Sequence, residues 1–168
     1  MKFAGLMSLC TAIALSGLYL SLLQNKRLQL LRDICAFFRD MRELGGTGFS
    51  SFPEIFERLS GARKYRRLTF IDTVASRYES GQNLREIWDC TVQSFCPLYM
   101  NSAIKGLLLS FSDVFGRCTR EDFIKRCGEL SVLAEGLLSA SEKRYEKNRS
   151  MTVYSGVLAA AAIFFIFI

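Results

Sequence analysis

The sequence of 168 residues contains no histidine. That absence removes every Ser-His-Asp or Cys-His arrangement for nucleophilic catalysis and most zinc-site patterns. There are six cysteines, Cys10, Cys35, Cys90, Cys96, Cys118 and Cys127, with no C-x-x-C pair among them. They fit buried, reduced thiols in a cytoplasmic compartment better than a metal site or a disulfide framework. An enzyme built on a cysteine nucleophile would lack a histidine to activate the thiol. No glycine-rich phosphate loop is present, so nucleotide hydrolysis by the chain itself is not expected. Two prolines and twelve glycines leave little room for a many-turned β architecture. The expected fold class is all-α, and neither a cofactor nor a metal is expected.

Hydrophobic residues make up 50% of the chain, which is high for a soluble protein. The excess is concentrated at the two ends. Phe3 to Leu23 and Ser150 to Ile168 are free of charge, and as helices they would reach about 31 Å and about 28 Å, near the thickness of a bilayer's hydrocarbon core. Both are expected to span a membrane. A cleaved signal peptide is the rival for the first run; a single lysine before it, its length and the lack of a small-x-small cleavage site favour retention. Ala4, Ser8, Ala12 and Ser16 recur every four residues, as do Ser155 with Ala159 and Gly156 with Ala160, ridges that would let helices approach closely.

Between the runs, Gln24 to Arg149 holds 21 of the 22 basic residues and all 16 acidic ones. Lys26, Arg27 and Arg32 follow the first run, and a basic collar of Lys143, Arg144, Lys147 and Arg149 precedes the second. Positive charge marks the cytoplasmic flank. The expected organisation is a hairpin: residues 1–23 one transmembrane helix, 24–149 a cytoplasmic helical domain, 150–168 a second transmembrane helix, both termini outside.

Within the middle segment Leu28, Leu31, Cys35, Phe38 and Met41 form one helical stripe, ended by Gly45 to Gly48. Ser51 with Glu54, Asn83 with Glu86, and Thr119 with Asp122 have capping spacing. They predict helices through Phe52 to Leu59, from Leu84 toward Phe95 before Pro97, and from Thr119 into the second run. Two further helices are expected, near Tyr65 to Glu79 and through Tyr99 to Phe111. About six helices and two spans result. Trp88 falls on an apolar face and reads as a core anchor.

Arg63, Lys64, Arg66 and Arg67 form the densest basic run, suited to anionic lipid headgroups, an acidic partner surface or plain solvation. Nucleic acid is not an expected partner, since no binding motif accompanies the run. The turn from Phe115 to Asp122 presents Arg117, Arg120 and Glu121 beyond what a cap at Thr119 requires, a candidate protein contact. Glu121 and Asp122, in the first turn of a helix, read as dipole partners rather than acid and base.

Taken in order, Leu28-Gln29-Leu30-Leu31, Gly48 through Phe52-Pro53-Glu54 to Leu59, Gly81 to Trp88, Phe115-Gly116-Arg117 with Arg120-Glu121-Asp122, and Glu146 to Met151 running into Gly156-Val157-Leu158 resemble the stage III sporulation protein AB family, related to type II secretion F platform proteins. The resemblance covers nearly the whole chain. It implies a multi-pass protein on the mother-cell side of the forespore-engulfing membrane. There it would be a non-enzymatic platform in the channel, or feeding tube, between mother cell and forespore. The implied partners are membrane lipids, other sporulation channel proteins and a cytoplasmic secretion-type ATPase, with a homo-oligomer among the expected arrangements. The alternative is a membrane-tethered helical regulator or adaptor unrelated to secretion.

Overall fold

The computed structural model describes the backbone of residues 2–47, 52–78, 83–115 and 119–167, and the side chains of 16, 19–47, 52, 54–78, 83–115 and 119–147. Among these, six α-helices and two short 3-10 turns account for the regular structure. They are α1 (Lys2–Gly46), α2 (Phe52–Ser60), a 3-10 turn (Arg63–Tyr65), α3 (Thr69–Tyr78), α4 (Leu84–Ser94), α5 (Ser102–Leu109), a second 3-10 turn (Ser110–Val114) and α6 (Arg120–Phe167). The all-α expectation holds. The uncharged runs are not separate elements but the outer ends of α1 and α6. Most of their side chains, including the small-residue ridges beyond Ser16, lie outside the described residues. Among the described residues no helix is long and apolar enough to cross a membrane.

The frame is the pairing of α1 with α6, the most extensive contact between elements. Arg32 meets Glu142 at 2.8 Å, Arg39 meets Glu135 at 3.1 Å, and Gly45 lies against Phe123. As the numbering rises along α1 it falls along α6, so the helices are antiparallel. Seven residues separate the two ion-pair rungs on each helix. Since a heptad closes almost two whole turns, one face of each helix stays on the other. Both ion pairs are largely exposed, so each adds at most about 1 kcal/mol and serves register more than stability.

The stripe on α1 is broader than its 3.6-residue periodicity indicated. Leu30, Ile34 and Phe37 are as fully buried as Leu31, Phe38 and Met41, leaving Arg32, Arg39, Arg42 and Glu43 exposed. Two buried faces make α1 the central helix. Phe37 reaches Tyr65, Phe70, Trp88 and Phe111, each ring centroid 6.1 Å away, on four different elements. The short helices α2 to α5 touch one another in chain order and close over that side.

Trp88 is fully buried, as its apolar face implied, among Phe56, Phe70, Phe111 and Phe115 at 5.1 to 5.9 Å. Its indole N–H donates to the Leu108 carbonyl at 2.8 Å, so the one polar atom of the ring is satisfied.

Two boundaries differ from expectation. The third helix starts at Thr69, not Tyr65; Tyr65 closes a 3-10 turn whose carbonyl accepts from Leu68 N–H at 2.7 Å. The fifth starts at Ser102, after a cap at Asn101 whose side chain accepts from Ile104 N–H at 3.0 Å. Tyr99 stands in the preceding turn, and Phe111 in the tighter 3-10 continuation. The glycines at the end of α1 also have another task. The helix runs through Gly46, and a Cβ on Gly45 would sit 2.4 Å from the Phe123 ring. Close approach of α6, rather than helix termination, is what requires glycine there.

Candidate functional site

The charged run from Arg63 to Arg67 lies along α1, because alternate members are tied to that helix. Lys64 Nζ donates to both carboxylate oxygens of Asp40 at 3.1 Å and stands 5.3 Å from the Tyr65 ring centroid. Arg67 reaches Asp33 at 3.4 Å. Tyr65 donates its hydroxyl to the same Asp40 in a short hydrogen bond. Burial, then the bond to Asp40, pushes the Tyr65 phenol above its ordinary range. Asp33 is also raised, because its burial outweighs the opposing charge of Arg67. All four basic residues of the run remain exposed, and two of them, Lys64 and Arg67, are also paired with carboxylates of α1.

Asp33, which Arg67 reaches, is ten residues along α1 from Leu23, a rise of about 15 Å, so these basic residues lie well away from the uncharged end of that helix. Beside them, Asp40 and Glu43 of α1 and Thr47 just after it, with Arg58, Lys64 and Tyr65, wall an open groove.

At the opposite end of α1 stands the corner called from sequence. Thr119 and Asp122 form the expected cap: Asp122 N–H donates to Thr119 Oγ1 at 3.2 Å, and the threonine hydroxyl donates to Asp122 Oδ2 at 2.6 Å. Asn83 caps α4 in the same way, accepting from Arg85 N–H at 3.2 Å. Ser51 lies outside the described residues, and so does Arg117. Glu121 is exposed. Arg120 is exposed, and its guanidinium is also engaged: its Nε donates to the Gly45 carbonyl at 2.8 Å and a second guanidinium nitrogen donates to the Gly46 carbonyl. It caps α1 at the end where carbonyls lack partners. Nothing within the corner's own sequence signals this, since the acceptors are some 75 positions away.

Lys143, Arg144 and Lys147 lie exposed on α6; the Arg149 side chain lies outside the described residues. Before them on the same helix, Val132 and Leu133 are exposed, and Gly136 and Ala140 continue that uncharged face. Below the apolar end of α1, Lys26 is exposed and Arg27 half-buried. Cys35 and Cys127 are buried, whereas Cys90 and Cys96 are exposed on α4 and just after it. Burial, then the nearby Glu135 carboxylate, pushes the Cys35 thiol up to about 11. Among the described residues no group of three or more Cys, Asp or Glu side chains could hold a metal ion.

Core, caps and charge pairs define an all-helical bundle carried on one long antiparallel helix pair. Residues 2–168 match the family model for stage III sporulation protein AB, and the chain belongs to that family. It is thereby a stage III sporulation protein. No curated protein and no solved structure matches it.

Proposed function

We propose that the chain is a non-enzymatic membrane platform of the channel between mother cell and forespore. In this reading residues 24–149 form a cytoplasmic bundle on the mother-cell side, and 1–23 and 150–168 anchor it. The bundle couples a cytoplasmic secretion-type ATPase to the membrane complex. One observation carries the reading. The antiparallel pairing of α1 with α6 brings the uncharged stretch of α1 that ends at Leu23 and the uncharged stretch of α6 that starts at Ser150 to the same end of the helix pair. Two spans leaving one membrane surface require that arrangement. Tyr19, Leu20 and Leu22, within that stretch of α1, are 55%, 58% and 59% exposed, an apolar patch at that end.

A reporter active only outside the cytoplasm tests the topology: fused after Ile168 it should work, and inserted between Gly45 and Ser51 it should not. The reverse pattern would end the hairpin reading. For the ATPase, the outward pair Arg63 and Arg66 is the contact whose reversal to glutamate leaves the core and α1 cap untouched. That double variant should insert and melt normally while losing ATPase recruitment in a salt-dependent way. Undiminished recruitment would remove this surface from the coupling.

A further inference from the structure

The middle of α6 is apolar on two opposite sides. Phe123, Cys127, Leu130 and Ala134 are buried, on the side that packs against the bundle. Val132 and Leu133 are 68% and 57% exposed, and Gly136, Ser139 and Ala140, also exposed, continue from them at three- and four-residue steps. At about 100° per residue all five fall within about 60° of Gly136, away from the buried stripe. The outward face of a surface helix is ordinarily charged, and this one is charged at its ends, with Lys125 and Glu129 before the uncharged stretch and Lys143 after it, all exposed. Between Glu129 and Lys143 the face bears apolar area and no charge.

Gly136 stands at the centre of that face. A glycine inside a helix weakens it relative to alanine. A Cβ there would meet nothing within 4 Å, so among the described residues nothing requires the gap. What a glycine permits at such a place is the close approach of another backbone. Along α6, Ala140 is ten residues short of the uncharged run at Ser150, about 15 Å, whereas a headgroup region is roughly 5 to 7 Å deep. A protein therefore suits the face better than lipid.

The charges at the two ends say which protein. Two copies of this chain side by side in the same sense would set Lys125 beside Lys125 and Lys143 beside Lys143. In the opposite sense Glu129 would face Lys143, but Arg126 already holds Glu129 at 3.1 Å. We propose that this face takes a helix of another protein, small and uncharged at its middle and acidic at both ends, with carboxylates spaced to meet Lys125 and Lys143, about 27 Å apart along α6. The proposal needs neither the membrane spans nor the Arg63 and Arg66 surface.

The test uses the full chain in detergent micelles and two synthetic helical peptides with the same centre of alanine, leucine and glycine, one ending in glutamates and the other in lysines, titrated by fluorescence anisotropy. The glutamate-ended peptide should bind about tenfold tighter than the lysine-ended one, with the gap closing at high salt. Lys125→Glu together with Lys143→Glu should invert that preference. Gly136→Leu should weaken binding about tenfold by blocking the approach. Its melting temperature should be no lower than wild type, because the new side chain enters open space, which separates a contact from a structural role. Equal affinity for the two peptides, binding of neither, or a Gly136→Leu chain that binds as wild type would overturn the proposal. So would a doubled mass in light scattering that Gly136→Leu returns to that of one chain, which would give the face to a second copy.

Discussion

Arg120 closes the helix that ends 74 residues before it, donating from Nε to the Gly45 carbonyl at 2.8 Å and from a second nitrogen to that of Gly46. The first turn of α6 thereby caps the last turn of α1, joining the two ends of the domain's frame. Arg120→Glu should cost about 1.5 to 3 kcal/mol, since charged hydrogen bonds are lost and a negative charge meets bare carbonyls. Denaturant unfolding of the middle domain measures this. An unchanged midpoint would leave Arg120 available for a partner, and Arg117 and Glu121 are the corner charges on which docking can be tested without disturbing the cap.

Two glycines on the long helices should respond oppositely to alanine. At Gly45 the added Cβ would meet the Phe123 ring at 2.4 Å, and at Gly136 it would meet nothing within 4 Å. Gly136→Ala should stabilise by about 0.5 to 1 kcal/mol through helix propensity. Gly45→Ala should destabilise by about 1 to 3 kcal/mol through overpacking, partly rescued by Phe123→Leu. Thermal melts of the three variants decide it, and a stabilised Gly45→Ala would mean that the helix ends do not approach so closely.

Trp88→Ala should destabilise by about 3 to 5 kcal/mol, the usual cost of emptying a buried aromatic site. Trp88→Phe should recover most of the packing but leave the Leu108 carbonyl without its donor, at about 1 to 3 kcal/mol. Equal melting temperatures for wild type and Trp88→Ala would contradict the buried position.

The thiols give a pH-dependent prediction. Cys35 is held neutral in the fold up to about 11, against an ordinary value near 9. Its folded pKa lies above its unfolded one, so the stabilisation is fully present below about pH 9 and is lost as pH rises from there toward 11. Wild type should lose stability over that window relative to Cys35→Ala. In a background lacking Cys10 and Cys118, a thiol reagent at pH 8 should modify Cys90 and Cys96 on the native protein and reach Cys35 and Cys127 only on unfolding. Rapid labelling of all four would show the helix pair to be open.

Local rules carried the reading of this sequence a long way. The Asn83 and Thr119 caps, the continuous course of α6 and the burial of Trp88 follow from spacing, which acts over one or two turns. The broad burial of α1 was partly hidden, because a 3.6-residue stripe marks one apolar face. The second face, Leu30, Ile34 and Phe37, becomes legible only when the helix is known to be surrounded. The charged surfaces were least legible. Lys64 and Arg67 look free in sequence and are tied to Asp40 and Asp33, and Arg120 reads as a surplus charge yet caps a distant helix. Such contacts depend on which helices become neighbours, and no local pattern encodes that.

The matched steps of the Arg32–Glu142 and Arg39–Glu135 rungs also make the helix pair a ruler. Each heptad adds about 10 Å of axial length and returns each helix to nearly the same face. Removing one heptad from both helices would bring the bundle about 10 Å closer to its uncharged end with its facing surfaces intact. Removing a single residue from one would turn every later side chain on that helix by roughly 100° and set Arg39 away from Glu135. The number of residues between the apolar boundary and the core, more than their identity, therefore fixes the height at which this protein presents its surfaces.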